Sequence, residues 1–144
     1  MPDASFDHFQ YDDPLSGSRV LAWLLSNPAY REPAIALVWR GLHYVLVRGV
    51  RAIGNPATDP NTAQLLGFYV SDPYPEASFW LGADRFIPID RWLNELFAPV
   101  SYTVPHTGIA GDVWQDRAVA IQRTFTTSGP TQPGRRNTSV AAYA

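Results

Sequence analysis

A chain of 144 residues, 46% hydrophobic and 17% charged, has the composition of one globular domain rather than of a disordered segment. With 11 basic residues against 13 acidic ones and no basic run, it lacks the clustered cations that nucleic-acid phosphate or an anionic membrane surface requires. It contains no cysteine, which excludes disulfides, thiolate metal ligands and a thiol nucleophile supplied by this chain.

In chain order, residues 1–17 are acidic and irregular, with turn signals at Asp12-Asp13-Pro14 and Gly17. They show neither a basic nor an apolar signal region, and no apolar run approaches the ~20 residues of a membrane-spanning helix, so a cytoplasmic protein is expected. Ser16 or Ser18 is expected to cap a helix carried by Val20, Leu21, Trp23, Leu24 and Leu25 and stopped by Pro28. Residues 34–39 and 43–50 read as strands about a turn at Arg40-Gly41, 51–63 as a long loop, and 65–71 as a third strand. Residues 72–88, rich in proline and aromatics, read as an ordered loop. A short helix is expected over 90–97, capped by Asp90, with Leu93, Leu96 and Phe97 on one face.

No periodicity marks 99–112. Alternation over 117–125 predicts a last strand, and 127–144 has the composition of a disordered tail. The expected architecture is an α+β domain over 18–126, one or two helices on an antiparallel sheet of about four strands.

Two residues stand out. Alternation puts His43, Val45 and Val47 on one face of their strand, with His43 at the rim beside the turn, where a base is both supported and reachable. Asp72 ends the next strand, and Pro73 stops the ladder there. If the two strands pair antiparallel, the carboxylate meets the imidazole and can orient it, as the acid of a nucleophilic triad does. Each residue alone is also an ordinary turn element.

Gly41-Leu-His43-Tyr-Val-Leu-Val-Arg-Gly49-Val50, followed by Gly67-Phe-Tyr-Val-Ser-Asp72-Pro73, resembles the C-terminal half of the papain-like cysteine peptidases. The nearest branch is the bacterial one that trims double-glycine leader peptides. The likeness covers about residues 18–100 and implies a papain-like half-domain, with His43 as general base, Asp72 as orienting acid and a peptide or protein as substrate. The family's nucleophile is an upstream cysteine, preceded by a glutamine. This chain has none, so the resemblance implies a fragment or an inactive relative, its thiol supplied by an upstream segment or a second polypeptide.

Gln10 through Ser16 and Gly17 echo the family's glutamine, nucleophile and glycine. Ser16 is thus an alternative nucleophile for a serine hydrolase, although serine is far less acidic than cysteine and a capping role suffices to explain it. Tyr74, Phe79 and Trp80 are candidates for lining a substrate groove. His8, His43 and His106 have no metal-ligand spacing, so neither metal nor cofactor is expected. The alternative from another class is a non-catalytic peptide- or protein-binding module.

Overall fold

The computed structural model describes residues 5–74, 81–101, 114–125, 130 and 136–138. Its elements are β1 (Phe6–Tyr11), α1 (Pro14–Ser26), β2 (Ala34–Val38), β3 (His43–Ile53), β4 (Gln64–Ser71), β5 (Arg85–Pro88), α2 (Ile89–Arg91), β6 (Ala118–Arg123) and β7 (Arg136–Thr138). A 3-10 turn (Trp39–Gly41) joins β2 to β3, and α2 runs into a π-turn (Trp92–Leu96).

Among the described residues the strands form one seven-stranded sheet, ordered β5-β4-β3-β2-β6-β1-β7, with antiparallel neighbours throughout. The fold is therefore α+β with an antiparallel sheet, wider than the four or so strands expected. β1 escapes a sequence reading because both of its faces are buried. Phe9 and Tyr11 look one way and the polar His8 and Gln10 the other, but Phe6 and Asp7 at its start reverse that alternation, and polar residues on a buried face read as solvated. The expected irregular arm of 1–17 thus contains a strand and the first turn of α1. β5 lies within the stretch taken for a loop. Most of the expected tail, 127–144, falls outside the described residues, but Arg136–Thr138 pairs with β1.

α1 begins earlier than Ser18 because Asp13, not a serine, caps it: the carboxylate accepts the Ser16 amide at 2.8 Å, and Pro14 occupies the first helical position, where it has no amide to waste. Val20, Leu21 and Leu24 face the sheet and pack with Ala36, Val45, Val47, Ala118 and Ala120. Val45 and Val47 alternate with exposed Tyr44 and half-buried Leu46, so α1 covers one face of the central strands. A second clamp comes from Trp92. Its indole N–H donates to the Ser18 hydroxyl at 2.9 Å, which donates in turn to the Pro14 carbonyl at 2.7 Å. The expected helix over 90–97 is in fact α2 plus the π-turn, closed by the Phe97 amide on the Trp92 carbonyl at 2.7 Å.

Candidate active site

His43 is launched by an unusual turn. Trp39, Arg40 and Gly41 all have positive φ, at 53°, 59° and 97°. For the two non-glycine residues this costs about 1–3 kcal/mol each and persists only where the surroundings enforce it. Here the Leu42 amide donates to the Trp39 carbonyl at 3.2 Å and the Ser101 amide to the Arg40 carbonyl at 3.1 Å. The Arg91 guanidinium lies 6.0 Å from the Trp39 ring centre. Gly41 is favoured by its φ, and a Cβ there would also crowd Val100 Cγ1 at 3.0 Å.

β3 and β4 pair antiparallel, with Leu46 opposite Ser71, so Asp72 leaves β4 beside the start of β3. His43 Nε2 lies 2.8 Å from Asp72 Oδ1. The pair is enclosed, the histidine 8% and the aspartate 4% exposed. Asp72 Oδ1 also accepts the Tyr74 amide at 3.0 Å, and Oδ2 accepts the Leu81 amide at 3.0 Å. Burial pushes the Asp72 carboxyl up, but the Leu81 amide, then the Tyr74 amide, then His43 outweigh it and hold the group below its ordinary value. The carboxylate is therefore kept ionised against the imidazole.

Val38 pairs with His43, Ala36 with Ala120, and Tyr11 with Ala118. The end of β1, the start of β6, the end of β2, the start of β3 and the end of β4 therefore share one edge of the sheet. α1 starts three residues after Tyr11, so its first turn stands at that same edge, and it covers the face to which His43 belongs. Ser16 is half-buried on this turn. Its hydroxyl donates to Asp13 Oδ2 at 2.8 Å, and no hydrogen bond joins it to His43 among the described residues. Neither serine serves as the expected cap: Ser16 is within the first turn and Ser18 beyond it, hydrogen-bonded to Trp92. Gly17 beside it is closely packed, since a Cβ there would lie 2.8 Å from Tyr11 Cδ2 and 3.0 Å from Phe97 Cε2 and would force a neighbour to shift.

Tyr74 is 55% exposed, its ring centre 6.5 Å from that of His43, and with Pro73, Tyr44 and His43 it lines a cavity of about 300 Å³. Phe79 and Trp80 lie outside the described residues, as does His106. His8 packs its ring edge-on to Trp114 at 4.9 Å on the sheet face opposite α1. Among the described residues no three His, Cys, Asp or Glu side chains converge as a metal cluster would, and no helix is long and apolar enough to cross a membrane.

Sequence reasoning missed Leu81, whose part is played by a backbone amide and leaves no trace in residue type. It also missed Tyr44, whose exposure was implicit in the strand alternation, and Leu42, which lies in the turn just before β3. No family model, curated protein or solved structure matches this chain.

Proposed function

We propose that this chain is a papain-like domain related to the cysteine peptidases, keeping the general base His43 and the orienting acid Asp72 but no thiol of its own. The supporting observation is the enclosed 2.8 Å contact between His43 Nε2 and Asp72 Oδ1. With Nε2–H donated to the carboxylate, the imidazole exchanges protons with a reactant through Nδ1. Asp72 fixes that tautomer and stabilises the imidazolium once the base takes a proton. In the reaction this pair fits, a thiol passes its proton to Nδ1 and the thiolate attacks a peptide carbonyl. The imidazolium then protonates the departing amine, and water releases the acyl group.

As it stands, the chain is expected to show no peptidase turnover, because losing a nucleophile costs several orders of magnitude in rate. A thiol has to come from a further segment or another polypeptide. A non-catalytic peptide-binding module is the second reading, favoured by the apolar cavity that opens beside His43.

The test is to place a thiol on the first turn of α1, which shares its sheet edge with the pair. In Ser16→Cys, the pH profile of alkylation by iodoacetamide should show the thiol ionising below its ordinary value of about 8.5. In Ser16→Cys/His43→Ala that depression should shrink. Identical profiles in the two variants, both folded by circular dichroism, would overturn the general-base assignment.

A further inference from the structure

β3, β4 and β5 carry three arginines, Arg48, Arg51 and Arg85, and no aspartate or glutamate. Asp84, just before β5, pairs with Arg48. Arg51 and Arg85 are exposed, and among the described residues no carboxylate pairs with either. A chain whose net charge is −2 thus keeps an uncompensated positive area on one part of its sheet.

The ground beneath Arg51 is aromatic. Phe68, Val70 and Ile87 belong to the core that α1 covers. Tyr69 and Phe86 alternate with them and pair across β4 and β5, so both lie on the other side of the sheet. Their ring centres are 5.1 Å apart, and Tyr69 is 36% exposed. Two glycines let these rings lie low. A Cβ at Gly67 would fall 2.5 Å from Phe86 Cζ, and one at Gly49 would fall 3.5 Å from Tyr69 Cδ2. The Arg51 guanidinium stands 5.9 Å from the Phe86 ring centre. A guanidinium held over a ring is partly ordered in advance and keeps N–H donors for a carboxylate. Arg51 is eight positions along β3 from His43, on the order of 25 Å at the ordinary strand rise, so this face is separate from the His43–Asp72 edge.

We propose that the Arg51–Phe86–Tyr69 face docks an acidic segment of another polypeptide. A carboxylate of that segment meets Arg51, and an adjoining apolar or aromatic side chain lies against Tyr69 and Phe86. Arg85, on β5 at the end of the strand order, supplies a second cation. Charge decides the chemistry: a basic segment would be repelled, and a neutral one would leave the guanidiniums unanswered. Two free guanidiniums are too few to hold a nucleic-acid strand, whose affinity grows with the number of phosphates neutralised.

The experiment is fluorescence anisotropy at low salt with a labelled octapeptide alternating glutamate with leucine and phenylalanine. Its glutamine counterpart and a single-stranded oligothymidylate serve as comparisons. The glutamate peptide is expected to bind about tenfold more tightly than the glutamine peptide, with the difference shrinking as salt is raised. Arg51→Glu should erase that preference. Arg40→Glu makes the same charge change at an exposed position beside the far end of β3 and should keep it. Tyr69→Ser should weaken both peptides; should it fail to fold, Arg51→Glu against Arg40→Glu still decides. Equal binding of the two peptides overturns the proposal, as do equal losses in the two arginine variants or tighter binding of the oligonucleotide. His43→Ala is expected to leave the affinity unchanged, so failure here does not touch the general-base reading.

Discussion

The amide of Leu81 donates to Oδ2 of Asp72 at 3.0 Å, nine positions along the chain. The Asp72 amide meanwhile donates to the Gly82 carbonyl at 2.8 Å. One residue therefore fastens both flanks of the 73–81 segment while its remaining carboxylate oxygen holds the imidazole. The orientation of His43 depends on the Tyr74 and Leu81 amides as much as on the two strands.

Replacing Asp72 with Ala should accordingly do more than remove a charge. It leaves the Leu81 and Tyr74 amides and the His43 ring without their acceptor, and breaking a buried pair of this kind costs about 3–5 kcal/mol. Urea denaturation of Asp72→Ala against wild type measures this. A loss under about 1 kcal/mol would mean that the three donors find other partners.

The same carboxylate sets an acid limit. Its native pKa is depressed, so the unfolded chain binds the proton more readily. The stabilisation is complete well above the unfolded carboxylate value of about 3.9 and is lost as pH falls through that value and on through the native one. Urea midpoints measured from pH 6 to pH 3 should therefore fall for wild type, and the gap between wild type and Asp72→Ala should narrow below about pH 4. A gap constant over that range would contradict the depressed ionisation.

Gly17→Ala is expected to reverse the usual helix rule. Alanine normally stabilises a helix interior by about 1 kcal/mol over glycine. At this position the added methyl meets fully buried Tyr11 and Phe97 at 2.8 and 3.0 Å. Overpacking of this type costs about 1–3 kcal/mol, so net destabilisation should appear in chemical denaturation.

Ser18→Ala should leave the Trp92 indole N–H buried without an acceptor. The expected cost is about 1–3 kcal/mol. The double variant Ser18→Ala/Trp92→Phe should recover part of it, because neither partner is then left wanting. Thermal melts of the single and double variants separate this from a simple packing loss.

The native Ser16 hydroxyl, committed to Asp13, should not react with a fluorophosphonate probe. Labelling detected by mass spectrometry at Ser16, and abolished in Ser16→Ala, would revive the serine-hydrolase alternative.

What could be read from sequence followed the strength of local signals. The β2–β3 hairpin and β4 are apolar runs bounded by turn residues, and an antiparallel β3–β4 pair brings His43 to Asp72 by connectivity alone. β1 was invisible because His8 and Gln10 are buried polar residues, which imitate a solvated arm. The start of α1 was misplaced because Asp13-Pro14 spells both a turn and a helix cap. β5 is four residues long, too short for alternation to register. At the site, the residue types at 43 and 72 were legible. The amides that fix Asp72, and the walls of the neighbouring cavity, arise from tertiary packing between positions such as Ile35, Trp114 and Ile121 that lie far apart in the chain.

The place of β6 between β2 and β1 carries a consequence for synthesis. β2 through β5 can assemble from neighbouring segments as they leave the ribosome, whereas, among the described strands, β1 joins β2–β5 through β6. Until residue 123 has been translated and has cleared the exit tunnel, Phe9 and Tyr11 have no permanent neighbour strand, and a nascent chain stalled before Ala118 keeps them open to chaperones.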